Sequence, residues 1–354
     1  MKGCTFCCMD TTDPEITFNE AGECNHCRTW KAIAPKIMRS KDELTPIIEK
    51  IKKSRRGYNC VLGISGGVDS SYTAYLAHKL GLKAVLVHLD NGWDTDEAKH
   101  NIERIREVTG WKGVNIYVDS EEYRDIQLAY LKAGVINLEA ITDHAIASTI
   151  YSFAYKEKFR YVLSGQNWAT EGILPQSWGF AGRDLANIKD IHRKYGTIPM
   201  REFSGMGIVK RLFIEYFASK TIKPLNYVDY NRADAMKTLV DEWELLDYGG
   251  KHGESRLTRF YQEYILPTRW GIDKRKAHLS TLICSGQLTR DEALETLSEP
   301  PSNNPSDYAF FSEKMGMTPQ EVVDTPKRAH LDYKNEEWVL DILRQIRGVI
   351  QRRK

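Results

Sequence analysis

Short apolar runs alternate along the first half of the chain with stretches whose apolar positions recur every three or four residues. The runs at 58–64, 84–89, 115–118 and 161–164 have the length and composition of buried strands. Residues 72–80, and a stretch beginning near Ser120, have helical spacing. Strand–helix alternation of this kind predicts an α/β fold, a parallel sheet covered by helices. Ahead of the first strand, Leu44, Ile47, Ile48 and Ile51 recur on one face of a Lys- and Arg-rich segment. That pattern predicts an amphipathic helix with a solvated basic face.

Residues 165–207 have little periodicity and many Gly, Trp and Asn residues, as expected of a lid or binding loop. From about Gly207 the chain reads as mainly helical. Thr289–Glu292 and Thr318–Glu321 have capping-box spacing, and a proline-rich break lies at 300–305. The expected organisation is a segment at 1–38, a helical linker at 39–56, an α/β domain at 57–206 and a mainly helical region at 207–354.

Composition narrows the class. The 354 residues are 42% hydrophobic and 28% charged, ordinary for a globular protein. With 50 Lys and Arg against 48 Asp and Glu, the net charge of +2 gives no general attraction to nucleic acid or to an anionic membrane. No apolar run approaches the roughly 18 residues of a membrane span, and the opening Met1-Lys2-Gly3-Cys4 does not resemble a signal peptide. A soluble, cytoplasmic protein without nucleic-acid partners is expected.

Five of the seven cysteines fall in the first 27 residues. Cys4-x-x-Cys7 and Cys24-x-x-Cys27, sixteen residues apart, have the spacing of a structural zinc site. Each pair offers two thiolates from one turn, and four thiolates leave no open position for catalysis. Cys8 competes with Cys7 as a ligand, and disulfides are the competing use of the pairs. His26 reads as a neighbour of the site rather than a ligand.

The strongest chemical signal is Ser65-Gly66-Gly67-Val68-Asp69-Ser70-Ser71, set between the first strand and a helix. Such a turn aims backbone N–H groups and a positive helix end at phosphate. The two glycines permit close approach, and Asp69 offers a carboxylate to a magnesium on the phosphates. No lysine stands where a Walker-type loop carries one. Ligands of open parallel sheets bind at the carboxyl ends of strands, near a reversal of strand order. Asp90, Asn91 and Gly165 are therefore expected near ribose and adenine, with Gln166 and Asn167 closer to the reacting centre. A plain turn role competes for each.

The Ser-Gly-Gly-Val-Asp-Ser loop resembles that of the ATP pyrophosphatases, which include GMP synthetase, NAD synthetase, asparagine synthetase and tRNA-thiolating enzymes. The resemblance implies a PP-loop, adenine nucleotide α-hydrolase-like domain that binds ATP and Mg2+. It also implies cleavage between the α- and β-phosphates. Over nearly the whole chain the sequence is similar to the N-acetyl sugar amidotransferases of the WbpG type. The likeness rests on the opening Cys-x-x-Cys-Cys-Met-Asp-Thr-Thr-Asp-Pro-Glu-Ile-Thr-Phe, on Gly22-Glu-Cys-Asn-His-Cys27, on the loop, and on Gly271-Ile-Asp-Lys-Arg-Lys-Ala-His-Leu-Ser280.

That second resemblance implies conversion of an N-acetyl group on a nucleotide-linked sugar into an acetamidino group, in O-antigen or related glycan synthesis. A glutaminase paired with a histidine-pathway cyclase-like subunit would supply the ammonia. Substrate contacts are expected in the irregular middle stretch and in a polar cluster of the C-terminal part. Asn187 and His192 are candidates there, as are Arg269, Lys274, Arg275 and His278, with solvated helix faces as the competing reading. Lys251, Lys274 or Arg275 would stabilise the transferring phosphate, and Asn167 would stand by the reacting centre. Two other readings remain: a tRNA-thiolating enzyme, which would need Cys60 or Cys284 as a reactive thiol, and a zinc adaptor that binds ATP without turnover.

Overall fold

Five short strands form one parallel sheet in the order β3-β2-β1-β4-β5. They are β1 (Cys60–Gly63), β2 (Ala84–Asp90), β3 (Gly113–Tyr117), β4 (Tyr161–Leu163) and β5 (Lys220–Ile222). The computed structural model describes residues 2–179, 182, 184–250, 253–302, 304–336 and 338–339. Lys251 lies outside the described residues.

β1 stands at the centre, with Val61 level with Val85 of β2 and Val162 of β4. Its side chains are buried on both faces, which is why it reads as an unbroken apolar run. Val61, Val85, Val87 and Val162 pack on one face against Ala154, in the helix α6 described below. Cys60, Leu62 and Leu86 face the other way. They meet α2 (Lys41–Ser54) through Leu44, Ile48 and Ile51, α3 (Val68–Lys79) through Ala74 and Ala77, and α4 (Asp96–Thr109) through Ile102 and Ile105. α2 is the amphipathic helix of the linker, and its N-terminal turn is closed by a bond from the Ser40 N–H to the Glu43 carboxylate (3.4 Å).

The chain moves outward from β1 to β2 and β3, then crosses back through α5 (Ser120–Ala133) and α6 (Ala140–Lys156) to β4 on the opposite flank of β1. Strand order thus reverses between β1 and β4, and the connections leaving both strands meet at one crevice.

Two parts of the architecture differ from the sequence expectation. β5 lies beyond the expected boundary at 206 and pairs with β4, so the sheet draws on the region read as helical. Lys220-Thr221-Ile222 holds one apolar residue, too little for period-based reading; it is a strand because β4 offers it an open edge. The stretch read as an irregular lid contains a helix, Leu185–Tyr195, packed on α5.

The connection after that helix is pinned by two buried carboxylates of α5. Glu122 accepts the backbone N–H groups of Arg201, Glu202 and Phe203 (2.8, 2.8 and 3.0 Å). Asp125 accepts from the Thr197 hydroxyl (2.6 Å), from the Ile198 N–H (3.2 Å) and from His192 (2.8 Å).

Neither terminal part stands alone. Residues 4–10 dock on the C-terminal helices. The Cys8 N–H donates to Ser280 Oγ (3.1 Å), Lys276 pairs with Asp10 (2.5 Å), and Arg290 donates to the carbonyls of Cys4 and Cys7 (3.2 and 3.3 Å). The two capping boxes are formed, with Glu292 and Glu321 each accepting from the cap N–H (2.8 and 2.7 Å).

Burial alone would raise the Asp125 pKa, but the bonds from Thr197, His192 and Ile198 outweigh it and hold the carboxyl below its ordinary range. A depressed carboxyl stabilises the fold above its unfolded pKa, and the contribution is lost as pH falls through the folded one. Asp125→Asn is therefore expected to cost about 2–3 kcal/mol at neutral pH. In urea melts the gap from wild type should close as pH falls below about 4. A gap that does not narrow as pH falls from 5 toward 2 would contradict this account.

Candidate active site and metal centre

The loop between β1 and α3 occupies the crevice at the strand reversal. Gly66 has φ +76°, and a Cβ there would lie 2.3 Å from the Ala98 carbonyl oxygen, so this turn is open only to glycine. A Cβ on Gly67 would come 2.7 Å from a carboxylate oxygen of Glu254. Inside the loop Ser70 Oγ donates to the Gly67 carbonyl (3.1 Å) and accepts the Ser65 N–H (3.3 Å), while Ser65 Oγ accepts the Gly67 N–H (3.3 Å).

The turn hands directly into α3, whose first-turn N–H groups lack intrahelical acceptors, a donor set that suits an anion. The Val68 N–H bonds the Tyr248 hydroxyl (2.7 Å). Ser71 Oγ is buried without a hydrogen-bond partner among the described residues. Asp69 accepts a hydrogen bond from Tyr230. Burial, then the nearby Asp69 charge, pushes the Tyr230 phenol well above its usual pKa. Tyr248 is raised by burial and by the charges of Glu254 and Asp69, so both carboxylates border the same small volume. Oxygen donors of this kind suit Mg2+, and the glycine-lined cradle suits a polyphosphate. Asp69 and Glu254 would hold the ion, which would neutralise charge on the phosphates.

Neighbouring connections lean on this loop. A Cβ on Gly165, just past β4, would lie 2.8 Å from the backbone of Asp69 and Ser70. Asn101 of α4 is buried, and its amide donates to the carbonyls of Gly66 (3.2 Å) and Leu246 (2.9 Å). His88 of β2 bonds the Ile64 carbonyl (2.9 Å) and Asp94 (3.0 Å). Burial opposes the His88 charge, yet the Asp94 bond holds its pKa above the usual value.

The structure brings some expected residues to this crevice and draws others into tertiary joints. Ser65 to Ser71, Gly165 and the solvent-facing Gln166 stand at the crevice. Asp90 and Asn91 accept the N–H groups of Gly92 (2.9 Å) and Trp93 (3.1 Å), forming the turn that closes β2. Asn167 caps a short helix by accepting from Thr170 (2.9 Å).

The middle and C-terminal candidates are mostly engaged with the protein itself. Asn187 is fully buried and donates to the carbonyls of His330 (2.9 Å) and Lys334 (3.2 Å). His192 is buried against Asp125. Arg269 is enclosed by the carbonyls of Val322 (3.1 Å), Gly134 (3.2 Å), Thr325 (2.8 Å) and Pro326 (3.3 Å). Each of these three is expended on tertiary structure rather than presented to a ligand, because a buried donor needs its partners at once. Arg275 forks onto Asp273 (3.0 and 2.7 Å), and Lys274 pairs with Glu139 (2.9 Å). His278 is half-buried on the helix Arg275–Cys284.

Residues that pattern reading passed over are Asn101, His88, Tyr230, Tyr248 and Glu254. His88 alone carried a signal, a polar residue inside an otherwise apolar strand.

The second centre is the cysteine cluster. The sulfurs of Cys4, Cys7, Cys24 and Cys27 all lie within 4.8 Å of one another and are buried. Backbone N–H groups of Phe6 and Cys7 point at Cys4 Sγ (3.4 Å each), as two thiolate knuckles require. Shared hydrogen bonds hold the Cys4 and Cys24 thiols below their ordinary range, chiefly through Cys7 and Cys27 respectively, while Cys7 and Cys27 are pushed up. Four thiols so close cannot all ionise without a cation. The set fits Zn2+ in a closed structural site. Cys8 is turned aside, its thiol raised to about 11 by burial. His26 bonds Asp13 (2.7 Å) outside the cluster. Unforeseen is Cys284, whose sulfur lies 3.8 Å from that of Cys27.

A parallel sheet with Ser-Gly-Gly-Val-Asp-Ser at its point of strand reversal defines a PP-loop nucleotide-binding protein. Residues 40–204 match the family model of NAD synthase, and residues 254–347 match that of the LPS biosynthesis protein WbpG-like, C-terminal domain. The chain thus joins a region similar to NAD synthase to a region similar to the WbpG-like C-terminal domain.

An uncharacterized protein of Methanocaldococcus jannaschii is 24% identical over 302 residues, 83% of this chain and 92% of that one. A glutamine-hydrolyzing GMP synthase of Baumannia cicadellinicola is 30% identical over 157 residues, 43% of this chain but only 28% of that enzyme. Among solved structures, NMN synthetase from Francisella tularensis aligns over 82% of this chain and 97% of its own, with 14% identity and a TM-score of 0.39. Among the described residues, no helix is long and apolar enough to cross a membrane.

Cys24→Ser is expected to lower bound zinc from about one ion per chain to a small fraction, by metal analysis of the purified protein, and to lower Tm by several degrees. Full zinc content in this variant would remove Cys24 from the ligand set. Gly66→Ala, which forces a Cβ onto Ala98, is expected to weaken ATP binding by about tenfold or more in calorimetric titration. Unchanged affinity would contradict the cradle assignment.

Proposed function

We propose that the protein is an ATP-dependent amidotransferase. It converts the N-acetyl group of a nucleotide-linked sugar, of the UDP-N-acetylated mannuronic acid type, into an acetamidino group for bacterial O-antigen or a related surface glycan. The observation that carries this reading is the union, in one chain, of a pyrophosphate loop with a WbpG-like C-terminal domain.

An amide carbonyl resists attack by ammonia. Its oxygen first attacks the α-phosphate, pyrophosphate leaves, and an O-adenylyl imidate forms. Ammonia then adds to the imidate carbon and AMP departs. The protein's part is positioning and charge stabilisation: the first-turn amides of α3 receive the pyrophosphate, and Asp69 serves its counter-ion. A partner glutaminase with a cyclase-like subunit supplies ammonia shielded from water, since free ammonia is mostly protonated near neutrality.

The thiolation reading finds less support. Cys60 is buried in β1 with its thiol pushed up to about 12, and Cys284 packs on the cysteine cluster. Neither suits a sulfur-transfer nucleophile at the loop.

Incubation with ATP, Mg2+, the nucleotide sugar and ammonium is expected to yield AMP and pyrophosphate, with a sugar lighter by the difference between oxygen and NH. Asp69→Ala should lower the rate by about a thousandfold. Formation of ADP, or turnover that needs tRNA and ignores the sugar, would overturn the proposal.

A further inference from the structure

α6 leads into β4, so it runs against the strands and begins at the carboxyl edge of the sheet, the edge that carries the phosphate loop. Its register is set by Ile150, whose Cδ1 lies 2.3 Å from where a Cβ of Gly63 would sit, at the end of β1. Asp143 comes seven residues earlier, about 10 Å further along the helix. It therefore stands beyond the strand ends and over the crevice.

Its surroundings are assembled from several elements. The adjoining Thr142 bonds Tyr123 (2.8 Å), a buried phenol whose surroundings also include Asn91 and Asp94 at the β2 end. The next residue, His144, pins the returning chain: Nδ1 meets the Gly182 carbonyl (3.1 Å), and Nε2 accepts the Met206 N–H (3.0 Å). A Cβ on Gly182 would lie 3.1 Å from the Asp143 Cβ, so the chain passes directly beside the carboxylate.

Four charged groups face Asp143: Glu139 from its own helix, Lys274 from the segment before Arg275–Cys284, Glu171 from Trp168–Glu171, and Arg211 from Ile208–Phe213. The two cations are already paired, Lys274 with Glu139 (2.9 Å) and Arg211 with Glu215 (2.7 Å). Among the described residues, no hydrogen bond or ion pair engages the Asp143 side chain. Asp143 is exposed as a residue, while its carboxyl is closely surrounded by protein. An acid at the carboxyl edge of the sheet, with no hydrogen bond or ion pair among the described residues, is placed to handle protons rather than to brace the fold.

We propose that Asp143 is a catalytic base of the amidotransfer, receiving ammonium in the crevice and taking one proton from it. The inference rests on the amidotransferase reading above. Ammonium gives a proton to the Asp143 carboxylate. The lone pair freed on nitrogen forms the bond to the carbon of the neutral adenylyl imidate. The carbon–oxygen bond to AMP breaks with its electron pair leaving on AMP, the product departs as an amidinium cation, and Asp143 returns its proton to water. Crowding, with Glu139 next, pushes the Asp143 pKa up to about 7, which suits a group that exchanges a proton near neutrality.

The test uses the full chain with ATP, Mg2+, the nucleotide sugar and ammonium chloride as the nitrogen source. Wild-type kcat/KM for total ammonium should rise with pH and level off above about 7, because ammonium itself is the bound species and Asp143 its acceptor. Asp143→Asn should lower that value about a hundredfold at pH 7. In this variant the value should keep climbing in proportion to free ammonia up to pH 9, while sugar-dependent exchange of pyrophosphate into ATP and the melting temperature stay near wild type. Asp143→Glu should regain part of the rate and the plateau.

Equal pH profiles in wild type and Asp143→Asn would overturn the assignment, as would loss of pyrophosphate exchange in a folded Asp143→Asn. Wild type that makes no AMP with any sugar and ammonium would instead overturn the amidotransferase reading, and this inference with it.

Discussion

The backbone of Gly66 is a tight constraint at the carboxyl edge of the sheet. Its left-handed conformation brings the chain against the Ala98 carbonyl, where no side chain fits, and Asn101 of α4 then fastens its carbonyl. From the other side Gly165 presses on Asp69 and Ser70. Connections that leave three adjacent strands thus meet at backbone contact. Nothing wider than glycine at these points would let α3 aim its first turn into the crevice. The anion cradle is a consequence of close packing between backbones rather than of any single side chain.

The cysteine cluster acts on the same crevice at one remove. α1 (Asn25–Ile37) grows directly out of the second knuckle and carries Trp30, whose indole donates to the Trp168 carbonyl (3.3 Å) and fills the space beside Gly172. Those residues follow Asn167 in the connection after β4. On its other side the cluster is clasped by Ser280, Arg290 and Cys284 from the C-terminal helices. A metal held by these thiols would make the turn a stiff object in a segment too short for its own core. The cluster lies between the nucleotide domain and the C-terminal helices.

Much of this was legible along the chain. The first, second and fourth strands announced themselves as apolar runs because burial on both faces leaves no polar positions. The knuckles and the phosphate loop were legible because each is a local device whose residues must be close in sequence. β5 was not, because three residues with one apolar side chain acquire their conformation only from a neighbour's open edge. The roles of Asn187, His192 and Arg269 were not either. A polar side chain in a periodic stretch looks the same whether it meets a ligand or a set of backbone carbonyls.

The sequence by itself determined the local chemistry: a glycine turn between strand and helix, paired thiols at knuckle spacing, and the alternation that makes a parallel sheet. Those depend on contacts within a few residues. Tertiary structure alone decided which distant groups face that chemistry. Asn101 and Tyr230 were brought to the loop, Cys284 to the cysteine cluster, and the first turn of α6, with Asp143, to the crevice. The reason is physical: such encounters are set by crossover direction and helix register, quantities that no single segment contains.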